Sequence, residues 1–480
     1  MKLKEIIKNI DVIQSTADPE LEISGVCYDS RLIKPGELFV AVRGFEADGH
    51  RFIPKAVAGG AAAVLCETPP EDGTPYVQTG DCRRALAFAS REFFGNPASE
   101  MVMIGITGTS GKTTSSYLMK HLLEAKLGAK VGLIGTNGNM IGDELLHTEH
   151  TTPESLELHR LFRRMAEAGC THVVMEVSSH SLTLERVAGI HYDVAVYTNL
   201  SQDHLDFHHS MEEYAAAKRM LFAQCGIGCF NLDDPWAAFM MQGAACEIRT
   251  FSAKRNEADL IAKDIRLSAG GVRFAGVSRD GLALTRLAIP GLFSVQNALG
   301  VMSAGLALGI SLADCADAMS SAKGVKGRLE VVPTERDFSV IIDYSHKPDA
   351  LETVLKTLRP VTKGRLVCLF GCGGDRDRLK RPIMGAIAAD NADLVIVTSD
   401  NPRTEDPEAI IDEILSGMKN KKTPYKAICD RKAAIGWAID NARPGDVILL
   451  AGKGHEDYQV VGHEKRHMDE REIVAEFLSK

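Results

Sequence analysis

The apolar run Met101–Ile104 passes directly into Gly105-Ile106-Thr107-Gly108-Thr109-Ser110-Gly111-Lys112-Thr113-Thr114, and a helix-like segment, Ser115–Lys126, follows. Strand, glycine-rich loop and helix in that order commit this part of the chain to an α/β architecture. It is also the arrangement whose backbone N–H groups and helix N-terminus hold nucleotide phosphates. Gly108 and Gly111 allow close backbone approach, Lys112 brings a positive charge, and the Thr113 hydroxyl is available to Mg²⁺. The general phosphate-loop spacing asks for a glycine where this chain has Ile106, and the compact form Gly108-x-x-Gly111-Lys112-Thr113 stands instead. Residues Gly108 to Thr114 are therefore the expected ATP site.

The rest of the chain repeats the theme. Val131–Ile134, Val173–Glu176 and 194–199 are apolar runs ending in polar residues and separated by helical patterns, which reads as a mostly parallel sheet with helices on both faces. After Lys323-Gly324-Val325-Lys326-Gly327, a hinge-like stretch, the pattern restarts. Val340–Asp343, Leu366–Phe370, 394–398 and Val447–Leu450 each run into a Gly- or Asp-rich loop, and chemistry is expected at those carboxyl ends. Before the phosphate loop, short strand-like runs such as 37–42 close at Gly95-Asn96-Pro97-Ala98. The expected fold is α/β in three domains: residues 1–98, a nucleotide-binding parallel-sheet domain over 99–326, and a Rossmann-like domain over 327–480.

At 480 residues the chain exceeds one ordinary core, which agrees with several domains. Lys+Arg 55 against Asp+Glu 64 leaves a net charge of −9, which offers no field for a nucleic-acid backbone. The start, Met1 to Lys8, alternates charged and apolar residues and lacks the apolar centre of a signal peptide, and no run is long enough to span a membrane. Eleven cysteines without paired spacing argue against a disulfide framework and for a reducing compartment, the cytoplasm.

Several residues carry chemistry on their own reading. Glu176 ends a strand in the place of an acidic metal ligand facing the phosphate loop. His204 and His208 follow another strand end; their spacing touches on zinc, but nothing completes the set, and a histidine assisting Mg²⁺ fits better. Lys218, in Tyr214-Ala215-Ala216-Ala217-Lys218, reads by itself as a solvated helix lysine. In the last domain Gly371-Cys372-Gly373-Gly374-Asp375-Arg376 fails the dinucleotide fingerprint, because Arg376 stands at the third glycine. The loop instead presents Arg376 and Arg378 near Arg403, and a guanidinium can pair a carboxylate through two parallel hydrogen bonds. Glu456, in Gly452-Lys453-Gly454-His455-Glu456, adds an acid able to hold an amine. Arginines for carboxylate with a glutamate for ammonium suggest an amino acid.

These motifs, taken in order, resemble the Mur ligases over essentially the whole chain. The match includes Asp29-Ser30-Arg31 with Pro35-Gly36, Gly108–Thr114, Glu176-Val177-Ser178-Ser179-His180 and Asp203-His204-Leu205-Asp206. It continues through Tyr214 to Lys218, Gly327-Arg328-Leu329-Glu330, Asp343-Tyr344-Ser345-His346, Asp400-Asn401-Pro402-Arg403 and Gly452–Glu456. The resemblance implies that the first domain holds the uridine nucleotide of UDP-N-acetylmuramoyl-L-alanyl-D-glutamate, with Ser30 and the turn Phe45, Glu46, Ala47 beside it. Thr151, Thr152, Ser178 and Arg186 fall where the family binds the rest of that precursor, and Leu184 replaces a glutamine of some relatives. Asn297, Arg328 and Asp343 match positions that meet the adenosine of ATP. Lys218 matches a lysine carried as a carbamate, an anion able to ligate a second Mg²⁺ beside His204 and Glu176. Asp400, Asn401, Pro402 and Arg403, with Arg376, Gly452 and Glu456, match the pocket of members that add meso-diaminopimelate; lysine-adding members usually lack that arginine, because lysine has no second carboxylate.

The implied reaction is an ATP-dependent ligation through an acyl phosphate, serving peptidoglycan precursor synthesis, by a monomer with Lys112, Glu176, His204 and Lys218 at the centre. Ligation of L-lysine is the near alternative. Folylpolyglutamate synthetases share the central logic but usually lack the first domain and the Asp-Asn-Pro-Arg block. A generic phosphate-loop NTPase is the alternative from another class.

Overall fold

The structure, a computed structural model, describes residues 1–44, 47–148 and 150–479. It divides into two compact units, Met1–Leu260 with Gly300–Ser311, and Ile261–Leu299 with Leu312–Lys480.

The first unit holds two sheets. The smaller comprises β1 (Val12–Ser15), β2 (Val26–Cys27), β3 (Leu38–Val40), β4 (Ala63–Cys66) and β5 (Tyr76–Thr79), in the order β1-β5-β4-β3-β2. Strands β2 to β5 run parallel, and β1 lies antiparallel against β5. Beyond it come β6 (Val102–Thr107), β7 (Val131–Ile134), β8 (Asn139–Ile141), β9 (Glu144–Leu146), β10 (His172–Glu176), β11 (Tyr192–Tyr197), β12 (Cys225–Asn231) and β13 (Glu247–Ser252). Their order is β13-β12-β11-β6-β10-β7-β8-β9, parallel from β13 to β7. The central strands are apolar on both faces, as a sheet covered on both sides requires: β7 is buried throughout, and β6 and β10 are buried except at their first residue.

Register then aligns the strand ends. Glu176 on β10 lies opposite Ile106 on β6, and Tyr197 on β11 lies opposite Thr107. The loops leaving β6, β10 and β11 therefore emerge side by side, where parallel sheets place their ligands. The helix after the phosphate loop spans Lys112–Leu127, starting three residues before the sequence reading, and ends on Gly128 in the left-handed region.

In the second unit, β14 (Leu260–Ser268), β15 (Gly271–Ser278) and β16 (Gly281–Leu287) neighbour one another in that order, with β15 and β16 antiparallel. A six-stranded sheet follows: β17 (Glu330–Val332), β18 (Ser339–Asp343), β19 (Leu366–Phe370), β20 (Leu394–Val397), β21 (Tyr425–Ala427) and β22 (Val447–Ala451), in the order β17-β18-β22-β19-β20-β21. All its pairings are parallel except β17 with β18. Asp343 lies opposite Ala451, and Phe370 opposite Val397, so the loops at 344–346, 371–376, 398–403 and 452–456 share one edge. A separate hairpin, β23 (Tyr458–Val461) and β24 (Glu464–His467), follows the last of them. Among the described residues no helix is long and apolar enough to cross a membrane, and all eleven cysteines are free thiols.

Candidate active site

The phosphate loop is built by two glycines and a ring of hydrogen bonds. Gly108 has φ +149°, and a Cβ there would come within 1.9 Å of Thr198 Oγ1. Gly111, φ +87°, opens the helix from the left-handed region. Across the loop, Asn199 Oδ1 accepts from Ser110 N at 3.0 Å, while Asn199 Nδ2 and Thr198 Oγ1 donate to Ser110 O at 3.0 and 2.7 Å. The loop is thus fastened to the residues that follow β11. Lys112 turns its Nζ back onto the carbonyls of Gly108 and Thr109, 2.8 and 2.9 Å away.

Glu176 is fully buried at the end of β10. Its Oε2 accepts from Thr113 Oγ1 at 3.0 Å and Thr136 Oγ1 at 3.1 Å, and its Oε1 accepts from Thr136 N at 3.0 Å. Thr151, expected at the precursor, meets Thr136 Oγ1 at 3.0 Å, and Thr152 Oγ1 donates to Glu176 O at 2.8 Å. Thr113 and Thr136 thus meet on the Glu176 carboxylate, with Thr151 one hydrogen bond away and Thr152 on the Glu176 backbone. Ser178 caps the helix Ser179–Thr183, accepting from Ser181 N. Arg186 donates to Thr152 O at 3.1 Å and pairs with Glu154 at 2.6 Å.

Lys218 corrects the sequence reading. Far from being solvated, its side chain is 1% exposed. Its Nζ donates to Gly108 O at 2.9 Å and lies 4.6 Å from the Tyr214 ring centroid. Burial pushes the amine well below its ordinary range, and the nearby Lys112 cation pushes it further; Asp203 opposes both. Sequence missed this because the helix Met211–Arg219 carries polar residues on one turn and alanines on the next, which hides the buried face. Tyr214 was also quoted only as part of a motif. Its hydroxyl meets Thr109 Oγ1 at 3.1 Å, and its ring stands between Lys218 and the histidines.

His204 caps the short helix Leu205–His208 at φ 52°, with its ring edge-on to His180 at 4.8 Å. His208 lies against the same His180 ring at 5.6 Å, but its Nε2 meets Ser179 Oγ at 2.9 Å, and burial together with the His180 ring lowers its pKa to about 4. The zinc-like spacing thus yields no shared site.

In the same unit a cavity of about 490 Å³, a size suited to a nucleotide, is lined by Ser30, Ala47, Arg31, Lys55 and Arg83 among others, with Leu184 on its wall. Ser30 and Ala47 stand where the sequence reading puts the uridine nucleotide; Phe45 and Glu46 lie outside the described residues.

The second unit gathers its own set. Asp343 is buried, accepting from Leu329 N at 2.8 Å and from the Ser345 hydroxyl; burial raises its carboxyl pKa against these hydrogen bonds. Arg328 lies 5.4 Å from the Tyr344 ring centroid, and the Tyr344 ring in turn meets His346 and His455 at 4.6 and 4.7 Å. Asn297 is buried on the helix Leu292–Ala307.

At the edge loops, Asn401 Nδ2 donates to Glu456 Oε2 at 2.9 Å. Lys453, fully buried, donates to that same oxygen at 2.8 Å and to Asn401 Oδ1 at 3.0 Å. The ammonium facing Glu456 is thus Lys453, which sequence reasoning passed over inside its own quoted motif. Gly452 sits with φ +109° against Asp400, and Pro402 packs its carbonyl on Gly374. Arg403, half-buried, donates Nη1 to Gly374 O at 2.9 Å. Arg378 turns away to pair with Glu413, and Arg376 is exposed, donating to Asp375 O at 3.4 Å. The sequence reading grouped these with Arg403, but of the three only Arg403 is tied into the loop 371–374. The arginine it missed is Arg381, fully buried, which pairs with Glu405 and Glu413 and donates to Gly373 O at 3.2 Å. No local pattern distinguishes it from a helix-surface arginine.

Three family models cover the chain in order: the Mur ligase family catalytic domain over 22–94, the Mur ligase middle domain over 106–305, and the Mur ligase glutamate ligase domain over 327–454. The chain is 46% identical over 483 residues to the UDP-N-acetylmuramoyl-L-alanyl-D-glutamate--2,6-diaminopimelate ligase of Caldanaerobacter subterraneus subsp. tengcongensis, with 100% of this chain and 99% of the relative covered. It is 44% identical to the corresponding ligase 1 of Clostridium acetobutylicum, with both chains covered in full. A solved structure of a UDP-N-acetylmuramoyl-L-alanyl-D-glutamate--2,6-diaminopimelate ligase matches with a TM-score of 0.78 at 34% identity, covering 100% of this chain and 99% of that one. The chain belongs to the Mur ligase family. It is an enzyme, a ligase with the family's three domains.

Proposed function

We propose that this ligase uses ATP to join meso-diaminopimelate to the D-glutamate side-chain carboxylate of UDP-N-acetylmuramoyl-L-alanyl-D-glutamate. The observation that carries the reading is the full-length similarity to relatives bearing that activity in their names. The loop at 400–403 agrees with it. Arg403 spends one N–H on Gly374 O, which leaves the rest of its fork for a carboxylate, the group that distinguishes diaminopimelate from lysine. We assign residues 1–98 to the precursor, 99–326 to ATP and 327–480 to the amino acid.

The phosphate loop supplies the γ-phosphoryl group's surroundings: the backbone N–H groups of 108–114 and the Lys112 ammonium. The D-glutamate carboxylate attacks the γ-phosphorus, ADP leaves, and an acyl phosphate forms. The neutral amine of diaminopimelate then attacks the acyl carbon, and the tetrahedral intermediate expels phosphate, which carries off the nitrogen's proton, to leave an amide. Thr151, Thr152, Ser178 and Arg186 orient the precursor, and Asp400 to Arg403 with Glu456 orient the amino acid. Much of the acceleration comes from that positioning.

The residues present fit Mg²⁺. Thr113 Oγ1 and the Glu176 carboxylate are hard oxygen donors in contact, and among the described residues no group of three or more His, Cys, Asp or Glu could enclose a metal alone. That matches an ion that takes one or two protein carboxylates and completes its shell from substrate phosphates and water. Thr113 and Glu176 would hold one such ion, and Lys218 as its carbamate with His204, beside Glu176, a second; the ions would neutralise charge on the phosphates. Lys218 suits that role: a neutral amine adds CO₂ to give a carbamate and a proton, and burial shifts this amine toward its neutral form.

Phosphate release tests the reading. Protein with Mg²⁺ and ATP should release phosphate only when UDP-muramoyl-dipeptide and diaminopimelate are both present. Equal turnover with ATP alone would make the chain a generic NTPase, and equal turnover with lysine would remove the selectivity.

A further inference from the structure

The hairpin β23–β24 has no core of its own: β24 is exposed along its length, β23 is half-buried, and an isolated two-stranded ribbon is marginal in water. Its contacts explain its presence, because consecutive positions fasten the loop 400–403. Gln459 Nε2 donates to Asp400 O at 2.6 Å, and Val460 N donates to Asn401 Oδ1 at 2.9 Å. Arg403 N donates to Val460 O at 3.1 Å, and Gly462 N donates to Arg403 O at 2.7 Å, forming a parallel bridge between Arg403 and Val461.

Arg403 needs this support. Its φ is +52°, in the left-handed region that a side chain with a Cβ rarely adopts. Both of its backbone hydrogen-bonding groups are held by the hairpin, so its conformation is imposed from outside. That fixes where the side chain leaves the backbone, while Gly374 O fixes one edge of the guanidinium. A residue strained in this way and held on every side belongs with pre-organised functional positions.

We infer that the hairpin 458–467 is the element that aims Arg403, and that Gln459 is a positioning residue for selection of the amino acid's second carboxylate. The inference rests on the reading of Arg403 given above and adds a residue that does not touch the substrate. Gln459 is the one contact of the set made by a hairpin side chain, so it can be removed without altering the backbone. Its loss lets the loop sample other conformations, and binding of the amino acid must then restore the aim.

Gln459→Leu keeps the size and removes the donor. Steady-state kinetics of the full chain should show the KM for diaminopimelate raised about five- to tenfold, the worth of one hydrogen bond. The KM values for ATP and the UDP-precursor should stay within about twofold, and the thermal midpoint should fall by no more than about 2–4 °C. In an Arg403→Ala background the same substitution should add no further loss. An unchanged KM for diaminopimelate overturns the inference, as does a parallel rise in all three KM values with a lowered midpoint, which marks a merely structural contact. If Arg403→Ala itself leaves the diaminopimelate constant untouched, the reading of the loop falls and this inference with it. If Arg403→Ala is damaging and Gln459→Leu is silent, the inference alone falls. Gln459→Ala gives the same comparison should the leucine variant not fold.

Discussion

Replacing Lys218 by methionine separates a chemical role from a structural one. Methionine fills the space of the lysine stem and removes only Nζ. That atom donates to Gly108 O at 2.9 Å, and Gly108 O keeps Lys112 Nζ at 2.8 Å, so no acceptor is orphaned. The lost bond costs about 1 kcal/mol. Against that, the buried Nζ no longer has to be desolvated, which offsets part of the loss. Unfolding in urea should therefore place the variant within about 1 kcal/mol of the parent. Activity should respond very differently. If Lys218 works as a carbamate facing the phosphates, its removal deletes an electrostatic group from a water-poor site. Such losses run to about 10²–10³ in kcat, or roughly 3–4 kcal/mol. The assay is phosphate release with all three substrates, paired with urea denaturation on the same samples. In the shorter Lys218→Ala variant, small carboxylates such as formate or acetate should restore part of the rate by occupying the place of the carbamate. A Lys218→Met enzyme within about tenfold of the parent's kcat would refute the chemical role, and one that has lost several kcal/mol of stability would show a structural lysine instead.

Arg403→Ala should lower kcat/KM for diaminopimelate by about 10- to 150-fold, the worth of a charged hydrogen-bonded pair at a half-buried site, and leave the KM for ATP nearly unchanged; equal damage to both constants would take the arginine out of the amino-acid pocket. Arg403→Lys keeps the charge but not the fork, and should recover only part of that loss in the same assay. His159, fully buried with both ring nitrogens unpartnered, has its pKa lowered to about 3 by burial, with Arg91 adding to the shift. A histidine depressed on folding lets the unfolded chain take the proton first, so stability falls as pH drops from about 6.5 toward 3. By pH 5 the loss is roughly 2 kcal/mol at about 1.4 kcal/mol per pH unit. His159→Leu should flatten that acid limb in urea titrations run at about pH 7.5 and pH 5, and identical limbs would show that His159 does not titrate on unfolding.

What the sequence revealed and what it hid divide along one physical line. Apolar runs ending in polar residues report burial on both faces of a strand, and that signal is local. The runs at 131–134, 173–176, 340–343, 366–370 and 447–450 accordingly reappear as strands of the two sheets. The phosphate loop was legible for the same reason, since Gly108 and Gly111 answer a backbone demand within a few residues. The partners that give side chains their chemistry lie far away in the chain. Lys218 is buried because Gly108, 110 residues earlier, offers it a carbonyl, and Arg381 is buried because Glu405 and Glu413 come round to meet it. No periodicity encodes either meeting.

The same distinction explains why the arginines at 376, 378 and 403 could not be sorted in advance. All three follow strand ends, and each is suited to a carboxylate on residue type alone. Glu413 draws Arg378 outward, Arg376 finds no acidic partner among the described residues, and the hairpin at 458–462 with Gly374 draws Arg403 into the loop. Selection among equivalent charges is thus made by a distant carboxylate for Arg378 and by backbone groups, through hydrogen bonds that any residue could supply, for Arg403. Side-chain identity names the kind of ligand, and the fold decides which copy of that side chain meets it.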